Sequence, residues 1–412
     1  MTSAPPPETQ WICCHLGARE HYAVPRALHR LDRLRLLVTD AWVEPGSVWS
    51  RLPGDLPRRL SERFHPDLAN AEVRAFTLRL MAREALWRSR PSTGWAPLVE
   101  RNRWFGRRAV GALQRLPDPQ HTRTVVFAHS YSARDVFAHA RSRGWMTVLG
   151  QIDPGAEHFR IVQQLSESRQ DYGGVAPSPP AEYVEAWRDE CRLADWIIVN
   201  SDWSRESLAR AGIPVDKLRV VPLAYEPEAD EPVPARQYPG AFTRQRPLRV
   251  LFVGHVAVAK GAPELLEAMA LLADLPVELQ LVGATAMAIP QRFLNDPAIR
   301  VHGAVSRSDV MRFYRDSDVL VFPSHSDGFG MAQIEAQGWR LPIIASRSCG
   351  RVVQDGINGL LLDDVSADAI AAAVRRVALN PRLLEQFSRG PSATTQTGVS
   401  GLGAALRQLE PS

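Results

Sequence analysis

Residues 324–336 read SHSDGFGMAQIEA, so two acids, Asp327 and Glu335, bracket two glycines, Gly328 and Gly330. The apolar run DVLVFP (318–323) comes directly before them. A strand therefore ends here, a turn follows, and a helix begins. Packing alone does not require an acid at each end of such a turn. A helix N-terminus has free N–H groups that attract anions, and glycines allow the backbone to come close to a ligand. A second loop has matching chemistry. After LRVLFVG (248–254) come His255 and, five residues on, Lys260 followed by Gly261. Lysine occurs only at 217 and 260, and every other cationic side chain is Arg. A compact ammonium on a flexible stem suits a glycine-lined loop better than a planar guanidinium. Lys260 over the helix N-terminus reads as a cradle for a diphosphate. Glu335, one to two turns into the helix, could accept hydrogen bonds from a pair of ribose hydroxyls.

These loops need a framework that brings them to one edge. Strand-like and helix-like segments alternate along the first half. Apolar runs at 11–16, 34–39, 125–129, 146–151, 195–201 and 218–223 read as strands, with helical spacing at 21–32, 133–144 and 181–194. Such alternation predicts a parallel sheet covered on both faces. Residues 224–247 are rich in proline and charge and interrupt the rhythm, so they read as a linker. The alternation restarts with strands expected at 248–254, 277–283, 299–303, 318–323, 341–346 and 359–363. A capping-box pattern begins at Ser306. The expected fold class is α/β, two doubly wound Rossmann-like domains facing a central cleft. The expected parts are a disordered tail at 1–10, an N-terminal domain at 11–223, a linker at 224–247, a C-terminal domain at 248–390 and a tail at 391–412. In such sheets ligands bind outside the carboxyl ends of the strands.

Composition narrows the class. The 412 residues are 45% hydrophobic and 23% charged, with a net charge of +4. That is ordinary for a globular chain long enough for two cores. No apolar run approaches the roughly 18 residues that span a bilayer. MTSAPPPETQ has neither a basic start nor an apolar core, so no signal peptide is expected. Cys13, Cys14, Cys191 and Cys349 fit neither zinc spacing nor a disulfide framework and read as buried small residues. A cytoplasmic protein is expected, possible residence at the inner face of the membrane included.

The motifs together resemble the retaining glycosyltransferases of the two-Rossmann (GT-B) type, the large family-4-like group that includes bacterial mannosyltransferases and sucrose synthases. SHSDGFGMAQIEA is similar to the family's acid–seven residues–Glu motif. RVLFVGHVAVAKGAPELLEA resembles its donor-phosphate loop, and LADWIIVNSDWSRESLARAGIPVDKLRVVPLAYEP resembles the segment closing the N-terminal domain. The likeness is strong from about 181 to 380. It implies sugar transfer from a nucleotide-diphosphate sugar with retention at the anomeric carbon. In that reading Lys260 and the helix N-terminus stabilise the leaving diphosphate, Asp327 holds donor-sugar hydroxyls and Glu335 holds the ribose. The base would lie near Gly303-Ala304-Val305. His255, Gly328, Phe329 and Gly330 would complete the donor side. On the acceptor side Asp153, in VLGQIDPG, takes the place of the family's histidine; His129 matches another histidine of that edge, and Gly17 the glycine loop after the first strand. No metal and no cofactor are implied. The partners implied are a nucleotide sugar and a sugar or lipid-linked acceptor, without nucleic acid. Two substitutions depart from the pattern: His255 stands where the family has Arg, and Asp327 where it has Glu.

Plainer readings exist for each position. Asp327 is a preferred helix N-cap residue. Lys260 and Glu335 could be solvated surface charges, and His129 and His255 edge histidines. Asp153 precedes Pro154, a turn-initiating pair, and Gly17 could serve a turn only. The departures also leave open a catalytically weak nucleotide-sugar-binding partner or regulatory subunit of the same fold. An epimerase of this architecture is a third reading; a NAD enzyme is disfavoured because G-x-G-x-x-G follows no expected strand. One patch stands apart. Residues 74–108 interleave nine arginines (Arg74, Arg79, Arg83, Arg88, Arg90, Arg101, Arg103, Arg107 and Arg108) with Trp87, Trp95, Trp104 and Phe105. It could touch an anionic membrane, or be a solvated helix face with its tryptophans in the core. The latter is the plainer.

Overall fold

The structure, a computed structural model, describes residues 8–47, 62–88, 94–117, 122–173, 177–226, 233, 235–391 and 398–410. Residues 1–7, 392–397 and 411–412 of the expected tails and 227–232 and 234 of the expected linker lie outside them.

The N-terminal domain is a seven-stranded parallel sheet in the order β3-β2-β1-β4-β5-β6-β7. Its strands are β1 (Glu8–His15), β2 (Leu34–Thr39), β3 (Val73–Ala75), β4 (Thr122–His129), β5 (Met146–Gly150), β6 (Trp196–Val199) and β7 (Leu218–Val220). The helices between them are α1 (Ala23–His29), α2 (Thr77–Arg88), α3 (Ala96–Leu113), α4 (Arg134–Ser142), α5 (Ala156–Ser168), α6 (Ala181–Leu193) and α7 (Asp202–Arg210). Alternate residues of the central strands enter opposite cores: Ile12, Cys14, Val126 and Ala128 on one face, Trp11, Cys13, Val125 and Phe127 on the other. This two-sided burial is why the strands read as continuous apolar runs.

The C-terminal domain repeats the scheme with six strands in the order β10-β9-β8-β11-β12-β13. They are β8 (Leu248–Val253), β9 (Val277–Val282), β10 (Ile299–Gly303), β11 (Val319–Phe322), β12 (Ile343–Ala345) and β13 (Gly359–Leu361). Its helices are α8 (Ala262–Leu271), α9 (Gln291–Leu294), α10 (Arg307–Asp316), α11 (Met331–Gly338), α12 (Ala367–Leu379) and α13 (Pro381–Ser388). Ser306 caps α10 by accepting from Asp309 N at 3.1 Å, as its sequence pattern predicts. The strand order reverses between β1 and β4 and between β8 and β11. Those two points are where ligands of such sheets bind.

Three expectations change. Residues 8–10 belong to β1 rather than to a tail, because they pair with Thr122–Thr124 of β4. Residues 235–247 are fixed to the C-terminal domain. Phe242 is buried in its core, Arg236 donates to the carbonyls of Trp339, Ser317 and Tyr314, and Arg246 grips Asp318 through two bonds of 2.7 Å. The described residues 398–410 are also no tail. A last helix, α14 (Val399–Arg407), returns to the N-terminal domain and buries Val399, Leu402, Leu406 and Leu409 with Ala23, Ala27 and Leu28. Trp11 Nε1 donates to Glu410 at 2.9 Å beyond it. Each such buried side chain contributes about 1.5–3 kcal/mol, enough to hold a short helix of weak overall hydrophobicity.

Candidate active site

The two loops at the reversal point of the C-terminal sheet hold each other. His325 N donates to Ala259 O at 3.0 Å, and Ser324 Oγ to the same carbonyl at 3.3 Å. Gly261 has φ +69°, and a Cβ there would lie 2.0 Å from Pro323 O, so only glycine lets the loops close. The result is an ion pair between Lys260 Nζ and Asp327, both part-exposed. Asp327 N donates to Ser348 O at 2.9 Å, which fixes the acid's backbone. Asp327 does not cap α11: Gly330, at φ +87°, occupies the N-cap position.

Glu335 lies in the second turn of α11 and is half-buried; its Oε2 accepts from Tyr314 OH at 2.7 Å. Phe329 is turned away from the ligand edge, 5% exposed and packed with Phe322, Ile334 and Val352 in the core, so only its backbone remains at the turn. This differs from a substrate-facing side chain; an aromatic between two glycines fills the space they leave. His255 is exposed. His325, not foreseen from sequence, lies 3.3 Å from the buried carboxylate of Glu264. Glu264 also receives Arg169 at 2.7 Å, and its partners hold it below the usual carboxylate range against the opposing effect of burial.

The N-terminal strand ends meet this edge across the cleft. The carbonyl of Gly328 accepts from Ser201 Oγ and, at 3.2 Å, from Ser204 Oγ. A Cβ on Gly328 would stand 2.7 Å from Asn200 Nδ2 and 2.8 Å from Ile152 O. His158 Nδ1 lies 3.1 Å from Ser326 Oγ. Burial lowers the His158 pKa, and its charged neighbours are Asp153, Lys260 and Asp327. Sequence reasoning passed over Asn200, Ser201 and His158. The signal was available: Asn200 and Ser201 directly follow β6, and His158 lies in the first turn after β5.

The remaining acceptor-side residues are distributed differently from expectation. Asp153 is half-buried, and one carboxylate oxygen, Oδ1, accepts from Tyr131 OH at 2.7 Å, Gly155 N at 2.8 Å and Gln151 Nε2 at 3.0 Å. It organises the loop after β5. Gly17, at φ +84°, donates its N–H to Asp40 at 3.0 Å; that acid is fully buried and is also bound by Arg63 and Arg101. Gly17 therefore serves a structural ion cluster. His129 is 4% exposed, edge-on to His15 at 4.6 Å, and neither ring nitrogen has a hydrogen-bond partner. Burial holds its pKa well below the usual value. It borders a small chamber with Glu20, Gln151 and Asn200. Glu20 belongs to three successive left-handed residues, Glu20, His21 and Tyr22, with φ of 51°, 50° and 59°. Burial lifts its pKa to about 7, opposed by Arg19.

Comparison with known proteins agrees with this layout. Residues 247–380 match the family model described as "Glycosyl transferases group 1". The chain has the GT-B fold with a group 1 glycosyltransferase domain. A D-inositol 3-phosphate glycosyltransferase of Xylanimonas cellulosilytica is 32% identical over 242 residues, covering 53% of this chain and 57% of the relative. Its counterpart in Thermobifida fusca is 30% identical over 182 residues, covering 38% and 42%. The chain thus spans about half the length of the curated relatives it matches. The whole architecture superposes on Anabaena HepE in complex with UDP and glucose at a TM-score of 0.62 and 14% identity, covering 98% and 99% of the two chains. It superposes on sucrose-phosphate synthase of Thermosynechococcus elongatus at 0.64 and 17%, covering 98% of each. The group 1 domain contains Lys260, Asp327, Glu335 and both glycines of the turn. The cross-cleft partners of that turn, Ile152, His158, Asn200 and Ser201, lie outside it.

Proposed function

We propose that the protein is a metal-independent retaining glycosyltransferase that moves a sugar from a nucleoside-diphosphate sugar to an acceptor held by the N-terminal domain. One observation carries the reading. In a group 1 domain, Lys260 and Asp327 meet over the N-terminal end of α11, and Glu335 of that helix is braced by Tyr314 of α10. The incoming diphosphate exchanges one anion for another on Lys260, releasing Asp327 toward the sugar hydroxyls. Lys260 and the free N–H groups of α11 then stabilise the charge that develops as the glycosidic bond breaks. Glu335, with one oxygen held by Tyr314, presents the other to the ribose. Retention follows the pattern of the acid motif: the departing phosphate takes the acceptor's proton on the face it leaves. His158, kept neutral by burial, positions Ser326 from across the cleft.

The relatives named for inositol phosphate and the UDP-bound neighbour suggest a UDP-type donor and a phosphorylated polyol as first substrates to try. A second reading, a catalytically weak nucleotide-sugar-binding partner, is favoured by His255 in place of a fixed cation. Turnover separates them. The first reading expects nucleoside diphosphate release on adding acceptor, one anomer in the product by NMR, undiminished rate in chelator, and a loss of about 10²-fold or more in kcat in Lys260→Ala. Thermal stabilisation by a nucleoside diphosphate without any turnover assigns the second. Stabilisation by neither nucleotide nor nucleotide sugar rejects both.

A further inference from the structure

The arginine-rich stretch at 74–108 is resolved by the fold into two groups. Arg83, Arg101 and Arg103 are neutralised by Glu100, Asp40 and Glu182, and Trp104 is buried. Arg90 and the side chains of Trp87 and Arg88 lie outside the described residues. The other group borders an open groove of about 760 Å³ between the β3–α2 junction and the C-terminal half of α3, at the outer edge of the sheet. Five guanidinium groups line it, those of Arg74, Arg79, Arg107, Arg108 and Arg115, and among the described residues no carboxylate does. Arg74 is engaged by Glu72 and the Ala112 carbonyl. Arg79, Arg107, Arg108 and Arg115 are exposed and form no ion pair among the described residues. This contrasts with much of the surface, where arginines such as Arg160, Arg375 and Arg389 have acids at hand. Like charges gathered this closely repel one another unless an anion joins them.

Apolar surface adjoins the charge. Leu78, at the mouth of the groove, is 68% exposed, and Ala82 and Ala85 continue its face of α2 at i+4 and i+7, while Leu80 points into the core at 3%. Guanidinium groups beside an outward leucine on an amphipathic helix match the boundary between phosphate headgroups and acyl chains. Nucleic acid would instead call for aromatic platforms. The one aromatic lining the groove, Phe76, is half-buried and stands edge-on to Trp104 at 6.3 Å. We propose that this groove docks the protein on bilayers rich in anionic phospholipid, the four unpaired arginines on headgroup phosphates and Leu78 at the acyl boundary. The proposal stands independently of the transferase reading.

The test is co-sedimentation of the full chain with phosphatidylcholine vesicles, with and without phosphatidylglycerol, at low and physiological salt. Binding should require phosphatidylglycerol and weaken with salt. Each arginine near such a surface is worth about fivefold in affinity, so Arg107→Gln/Arg108→Gln should lose about 25-fold. Leu78→Ser should lose severalfold, most visibly at physiological salt. Arg103→Gln, exposed but already paired with Glu182, should stay within about twofold of wild type. Circular dichroism checks that each variant is folded. The wild-type salt and lipid dependence tests the proposal even if one variant is not. Equal binding to both vesicle types, unchanged binding in the double variant, or retention of RNA without vesicles would overturn it. So would protection of the groove by inorganic phosphate without vesicle association.

Discussion

In the C-terminal domain the loops after β8 and β11 are tied by backbone bonds, and their opposite charges, Lys260 and Asp327, already satisfy each other. In the N-terminal domain the loop after β1 turns through three left-handed residues, and His15 and His129 lie beneath it with unpartnered ring nitrogens. A left-handed non-glycine residue costs roughly 1–2 kcal/mol. One rim is thus closed on itself by an ion pair, and under the proposed function a phosphate would replace a carboxylate there. The other keeps strain and unmade hydrogen bonds, which under the proposed function would be available to an acceptor. The family model covers the first rim only.

The sharpest way to break the comparison is to part the rims. Gly328 is where they touch, and the Ile152 carbonyl opposite it is backbone that cannot swing aside. Gly328→Ala should therefore separate the loops by a fraction of an ångström to an ångström. Misplacement on that scale costs about 10²-fold in rate, so kcat/KM should fall by that order. Nucleotide affinity should hold within severalfold and the melting temperature should change little, since both sheets are untouched. Full activity in this variant would show that the contact is not part of the working geometry.

A smaller effect probes the closed rim alone. Tyr314→Phe removes the bond that fixes one oxygen of Glu335. A hydrogen bond to a charged group contributes about 1.5–3 kcal/mol, and part is recovered by water. Calorimetric titration with nucleoside diphosphate should show roughly fivefold to tenfold weaker binding, with free phosphate unaffected. An unchanged affinity would remove Glu335 from the ribose role.

The same contrast governs what could be read in advance. The strands were legible because parallel sheets bury both faces, leaving runs such as VVFAH and LRVLFV. The C-terminal loop residues were legible because charge and glycine stand at fixed offsets from a strand end. β3 was not, being three residues long in an arginine-rich stretch. Nor was the docking of α14, whose buried positions are separated by Gly401 and Gly403; Gly403 packs close to Leu31, to which an added Cβ would stand 3.0 Å. On the N-terminal rim the structure adds what residue type alone does not carry. Asp153 and Gly17 lie at the strand ends, where one oxygen of Asp153 and the N–H of Gly17 are bonded within the fold. His129 is buried, and Glu20 and His158, which border the chamber and the cleft, stand in no motif. Residue type and order place a group at an edge; only packing decides whether its hydrogen bonds are already used.

The smallest expected effect tests the strained rim through stability. Glu20 has its pKa lifted to about 7, against a usual value of 4.5, chiefly by burial. The folded state therefore binds more protons than the unfolded state between those two values. Stability falls as pH rises through that window and is level above it. His129 acts oppositely: its lowered pKa makes the folded state lose stability as pH drops below the ordinary imidazole value. The wild-type curve alone would mix the two, so the difference between wild type and Glu20→Gln is the quantity to measure. Urea unfolding should give near-equal stabilities at pH 5, where Glu20 is protonated in the folded state. At pH 8 the Gln variant should be more stable by about 1–2 kcal/mol, a value discounted because Glu20 is part-exposed. A difference that does not change between the two pH values would mean the carboxyl is solvated. The strained turn would then hold Arg19, rather than Glu20, in place for the acceptor.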